Sequence, residues 1–302
     1  MIRPGESLRF VLIVAVAAFL LGAGEPVQPT WQLPPGVKTL TANGYPMAYI
    51  ERGSGPTVVL VHGAVSDYRT WEAQMSSLSS RFRVIAASLR HYYPERWDGK
   101  GSDFSERQHA EDVTALIEGL GTGAVHLVGH SRGGMVAVLA ARSRPDLIRK
   151  VVLMEPPLTA LHPAGPGASE DLRVARWKAT AKRFETGDIE GGLEYFIDDI
   201  SGPGSWKRLT EERRQAIRDN AWTIVGQLGD TATISCADIG GLKVPVLLVG
   251  GEKTTRWNLN NLDAAQKCMP SAERVTIPNA GHVMHRDNSR AFDAALPKFL
   301  LD

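Results

Sequence analysis

The chain has 302 residues, 43% of them hydrophobic and 22% charged, with a formal net charge of +1. That composition is ordinary for a globular protein, and the length suffices to bury a substantial core in one large α/β domain or two small ones. Lys and Arg are scattered without a basic block, which excludes a surface built for nucleic acid.

Arg3 and Arg9 precede an uninterrupted apolar run at 10–21, followed by Gly22, Ala23 and Gly24. This is the order of a secretory signal peptide, and the run is shorter than the roughly 20 residues that span a bilayer. Residues 1–24 are therefore expected to be a signal peptide that directs export to a periplasmic or secreted location, or an N-terminal anchor if uncleaved. No other membrane partner is implied.

Two strand-like runs at 37–42 and 47–51 flank Asn43-Gly44, a hairpin signal. A buried strand at 57–61 ends at His62-Gly63; a helix at 68–78 and a strand at 82–86 follow. Residues 89–102 are irregular and rich in Tyr, Trp, Pro and Gly, and Ser105 can cap a helix at 106–120. A strand at 124–128, a helix at 135–141 and a strand at 150–154 come next. The stretch 158–241 holds no good strand but has helical patterns at 172–184, 193–200 and 210–228. Strand patterns resume at 246–249 and 274–277, with helices at 259–268 and 288–300. Alternating strands and helices predict a mostly parallel sheet covered on both faces, with a helical cap inserted at about 158–241 into a domain spanning 25–302.

The chemistry centres on Gly129-His130-Ser131-Arg132-Gly133, a G-x-S-x-G between a strand and a helix. Such a turn raises the serine above the sheet edge, and a serine needs a base to become a nucleophile. His282, just after the last strand, is the candidate base; His285 competes, and His109, His126 and His162 read as structural. Two acids follow strands between Ser131 and His282, namely Glu155 and Glu252, and either is placed to orient the imidazole. The N–H groups of Ala64 and Arg132 are the candidate oxyanion donors. Cys236 and Cys268 have no metal-ligand spacing; they form either one disulfide or two thiols, because sequence supplies no Cα separation. His282, His285 and Asp287 make too weak a pattern for a metal, and no cofactor is implied.

Together, His62-Gly63-Ala64, the Gly129–Gly134 turn and Gly281-His282 resemble the α/β-hydrolase family from about Val37 to the C-terminus. The resemblance implies a mostly parallel eight-stranded sheet with an antiparallel second strand, and a lid at the helical insertion. It also implies Ser131 as nucleophile, His282 as base, and Ala64 and Arg132 as oxyanion donors. Many members carry an aspartate shortly after the strand that ends here at Gly250-Gly251, where this chain has Thr254 and Thr255. Some relatives place the acid after the strand that follows the nucleophile helix, which favours Glu155 over Glu252. A second departure is the aromatic segment His91-Tyr92-Tyr93-Pro94-Glu95-Arg96-Trp97 after the fourth strand, with a pocket-shaping or a packing role. The implied activity is hydrolysis of a small-molecule ester or lactone through an acyl-enzyme. The same residues serve amide or carbon–carbon cleavage, and a non-catalytic binding protein is the alternative from another class.

Overall fold

Short β-branched runs buried on both sides become the centre of a sheet. In a computed structural model that describes residues 28–162, 166–230 and 232–301, eight strands are ordered β1-β2-β4-β3-β5-β6-β7-β8. They are β1 (Lys38–Ala42), β2 (Tyr45–Arg52), β3 (Thr57–Val61), β4 (Arg83–Ala87), β5 (Val125–His130), β6 (Ile148–Met154), β7 (Val246–Gly251) and β8 (Glu273–Ile277). Strand β2 runs antiparallel to both neighbours and the other pairs are parallel. The expected hairpin turns at Asn43 and Gly44, both at positive φ.

Successive strand residues face opposite sides. Val59, Val61, Leu127, Val151 and Leu153 pack under α2 (Glu106–Gly119), α3 (Arg132–Ser143) and α10 (Arg256–Cys268). Val58, Leu60, Val128, Val152 and Met154 pack under α1 (Glu72–Leu78) and α12 (Ser289–Leu301). Each such fully buried aliphatic side chain contributes about 1.5–3 kcal/mol relative to exposure.

Between β6 and β7 lie α4 (Pro166–Glu185), α5 (Ile189–Ser201), α6 (Ser205–Arg208), α7 (Glu211–Arg218), α8 (Thr223–Gly226) and α9 (Cys236–Gly240). We call this segment the cap. Its own apolar cluster joins Trp177, Phe184, Leu193, Phe196, Trp206 and Ile224. The single helix expected at 210–228 is instead broken at Asn220. That side chain is buried; its Nδ2 donates to Asp67 Oδ2 at 2.7 Å and to the Ala216 carbonyl at 2.8 Å, while its Oδ1 accepts from Tyr93 N–H at 2.7 Å. Contacts to the core therefore override helical propensity there. The proposed leader at 1–24 lies outside the described residues. Among the described residues, no helix is long and apolar enough to cross a membrane.

Cys236 and Cys268 form a disulfide with Cα atoms 5.2 Å apart, joining α9 to the end of α10 across 32 residues of sequence. Closing a loop of that length restricts the unfolded chain. Replacing both cysteines by serine is expected to lower the unfolding free energy by about 2–4 kcal/mol, read as a lower urea midpoint at unchanged slope. Equal midpoints for the two proteins would contradict this.

Candidate active site

Strand β5 ends at His130, and Ser131 takes φ 50° and ψ −121° before α3 begins. A Cβ on Gly129 would run into the Gly133 carbonyl, and one on Gly133 into the carbonyls of Val61 and His62. The turn is that tight because α3 packs directly on the ends of β3 and β5. Ser131 N–H donates to the Met154 carbonyl at 2.8 Å, and the Ser131 carbonyl accepts from Gly134 N–H at 2.8 Å. These bonds hold a serine in a conformation that costs about 1–3 kcal/mol.

The loop after β3 lies against this turn: a Cβ on Gly63 would be 3.1 Å from Ser131 Cβ. His62 pins the loop. It is fully buried, its Nε2 accepts from Leu89 N–H at 3.0 Å, and its Nδ1 donates to the Gly63 carbonyl at 2.8 Å. Burial pushes its pKa down to about 4, so the ring is neutral. Tyr92, from the aromatic segment, packs edge-on against it at 4.6 Å between ring centroids. Ala64 and Val65 then meet the cap cluster, Val65 at φ 47°. Arg132 is the first residue of α3, so its N–H stands outside the intrahelical ladder at the positive end of the helix. Its buried guanidinium turns away to Asp230 Oδ2 (2.9 Å) at the far end of the cap and to Glu106 Oε1 (3.3 Å) on α2. Arg173 of α4 approaches the same Glu106 oxygen at 3.6 Å.

Glu155 follows β6 at φ 45° and is buried. Its Oε1 accepts from Gly251 N–H at 2.8 Å; its Oε2 accepts from the Thr254 hydroxyl at 2.8 Å and from His282 Nδ1 at 2.6 Å. Glu252 is exposed and accepts instead from Asn279 N–H at 2.7 Å. Of the two acids named from the sequence, only Glu155 reaches the histidine. His282 is buried, its carbonyl accepts from His130 Nε2 at 2.9 Å, and the two rings lie 4.8 Å apart.

Thr254 and Asn258 were not legible as site residues. Thr254 stands where relatives carry the acid and now supplies a hydroxyl to Glu155; Asn258 Nδ2 donates to Thr254 Oγ1 at 3.0 Å and lies 3.2 Å from His282 Nδ1. Their only sequence signal was the polar stretch after Gly250-Gly251, and its target on β6 depends on sheet register.

His285 lies elsewhere, its Nε2 at 3.0 Å from the Thr70 hydroxyl and its ring 4.4 Å from that of Trp71. His109 Nδ1 sits 3.3 Å from the Arg132 guanidinium, and the His162 ring stacks near Trp257. Among the described residues, no group of three or more His, Cys, Asp and Glu is arranged to hold a metal.

The sequence profile of the Alpha/beta hydrolase family matches residues 58–295, and the chain belongs to that family. It is 25% identical over 273 residues to a 2-(acetamidomethylene)succinate hydrolase of Mesorhizobium japonicum, covering 83% of this chain and 90% of the relative. It is 34% identical over 289 residues to an uncharacterized protein of Mycobacterium tuberculosis, covering 88% and 82%. Among solved structures, the enol-lactonase of Burkholderia xenovorans LB400 superposes with a TM-score of 0.70 at 20% identity, covering 87% of this chain and 100% of that one. The protein is thus an α/β-hydrolase enzyme.

The buried histidines make stability pH-dependent. Burial lowers His62 and His126 to about 4, and His130 and His285 well below their ordinary value. The native state thus binds fewer protons than the unfolded chain, whose histidines titrate near about 6.5. Stability is fully present above that pH and is lost as pH falls through the window down to about 4. Urea midpoints should therefore fall steadily from neutral pH to this lower limit; a flat profile would contradict the assignment.

Proposed function

We propose that the chain hydrolyses a small carboxylic ester or lactone, with Ser131 as nucleophile, His282 as base and Glu155 as the orienting acid. The observation that carries the reading is the 2.6 Å contact between His282 Nδ1 and Glu155 Oε2, at the sheet edge that also holds the Ser131 turn. With the ring proton on Nδ1 directed at the carboxylate, Nε2 keeps a lone pair for the serine proton. Ser131 Oγ attacks the carbonyl carbon, and the N–H groups of Ala64 and Arg132 receive the oxyanion. Collapse expels the alkoxide, which takes the proton from His282. Water then gives a proton to His282 and attacks the acyl-enzyme; release of the acid restores Ser131. Glu155 stays ionised and stabilises the imidazolium in both halves. The fold shared with the enol-lactonase supports a lactone or ester.

A fluorophosphonate probe is expected to label the protein and to fail on Ser131→Ala. On p-nitrophenyl esters, Glu155→Gln should lower kcat by roughly a thousandfold or more, whereas Glu252→Gln should retain it. Labelling that survives Ser131→Ala, or a large loss in Glu252→Gln with near-normal turnover in Glu155→Gln, would overturn the reading.

A further inference from the structure

Arg132 is touched by the cap on one side and by the candidate active site on the other. It follows Ser131 at the first position of α3, where its N–H stands outside the intrahelical ladder. The peptide carrying that N–H follows a serine at φ 50°, and a bond from Gly134 N–H to the Ser131 carbonyl at 2.8 Å holds its other end. Backbone strained in this way persists where its surroundings over-determine it.

Here the further constraint comes through the side chain. Arg132 Nη2 donates to Asp230 Oδ2 at 2.9 Å and Nη1 to Glu106 Oε1 at 3.3 Å, and the guanidinium lies 4.9 Å over the Phe104 ring. Arg132 and Asp230 are buried, at 2% and 5% exposure. Asp230 ends the cap, directly after the turn Gln227–Gly229. Its Oδ2 also accepts from the N–H of Glu106, the first residue of α2, at 2.8 Å. One carboxylate oxygen therefore ties the cap to the starts of two core helices. Charge-assisted bonds of this kind are strong and directional in a dry interior. Withdrawing Asp230 leaves the Arg132 guanidinium to share Glu106 with Arg173 of α4. The aromatic segment after β4 sets how closely the cap seats. Trp97 and Phe104 stack at 5.1 Å, and a Cβ on Gly226 of α8 would lie 2.7 Å from either ring.

We infer that Asp230 is a positioning residue: with the cap seated it clamps the Arg132 side chain and so aims the Arg132 N–H at the oxyanion. This rests on the ester reading above and adds that oxyanion stabilisation requires a seated cap. Lifting the cap at this end leaves the Glu155–His282 contact intact, because its partners all belong to the core. The other cap anchor is a control. Asn220 bonds to Asp67, Ala216 and Tyr93. It sits by the turn Tyr68–Trp71, which also carries α11 (Met284–Asp287) through Thr70 and His285 at 3.0 Å.

On p-nitrophenyl acetate, Asp230→Ala should lower kcat by at least about tenfold while KM changes by no more than about threefold, the split expected when transition-state binding is lost. Asp230→Asn still offers an oxygen to both donors; it should lose less with the same split, and it carries the test if the alanine variant does not fold. Asn220→Ala should lower Tm yet keep kcat within about twofold of native. Arg132→Met should lose as much as Asp230→Ala, and the double variant should cost no more than about twofold beyond either. An unchanged kcat in both Asp230 variants, full additivity, or losses that simply follow Tm across all variants overturns the assignment. A second readout needs no turnover. Ser131 Oγ adds to the boron of phenylboronic acid as His282 takes the serine proton, which puts a boron hydroxyl in the oxyanion position. The acid should therefore shift the Arg132 amide in an arginine-selective NMR spectrum of the native protein and of Asn220→Ala, and much less in Asp230→Asn. That pattern without turnover of any ester would sink the ester reading and support the role of Asp230. Ester turnover with equal shifts in native protein and Asp230→Asn, or with no shift in either, would do the reverse.

Discussion

The hydrogen bond from His282 Nδ1 to Glu155 is the contact on which the candidate site depends. An ionised carboxylate this deeply buried is costly unless its lone pairs are met. Here they are met by the Gly251 N–H, the Thr254 hydroxyl and the imidazole, at 2.8, 2.8 and 2.6 Å. Gly251 and Thr254 stand at the end of β7 and His282 follows β8, whereas Glu155 itself follows β6. Pairing of Met154 with Val249 and of Gly251 with Ile277 sets those ends level, so a slip in either register would separate Glu155 from His282.

Backbone strain gathers along the same edge. Val65, Ser131 and Glu155 are non-glycine residues at positive φ, in the loop after β3, at the turn after β5 and just past β6 respectively. Close backbone approach accounts for the turn at Ser131: Gly63 and Gly133 let β3, β5 and α3 come nearer than a Cβ would allow. The cap is then held down at separate points, by Asn220 on Asp67 and by Asp230 on Arg132. Arg132 thus follows Ser131 at the start of α3 while its side chain holds the cap.

Local constraints were the legible ones. Gly129, Ser131 and Gly133 announce a tight strand-to-helix turn because they sit between a strand pattern and a helix pattern. The alternation of strands and helices likewise announces a mostly parallel sheet, and the antiparallel β2 follows from the family resemblance. What stayed hidden depends on distant residues. The break at Asn220 is set by Asp67 and Tyr93, far away in sequence, and the Cys236–Cys268 bond required a Cα separation that spacing does not contain. Two acids remained open on the residues alone because the choice turns on which strand end faces His282. The role of Thr254 was hidden for the same reason, since a threonine after a strand has many ordinary uses.

The central claim is that Glu155 holds the proton on His282 Nδ1, and proton NMR reads that atom directly. A far-downfield imidazole resonance is expected in the native protein and in Glu252→Gln, and its disappearance is expected in Glu155→Gln. Persistence of the resonance in Glu155→Gln, or its loss in Glu252→Gln, would contradict the account.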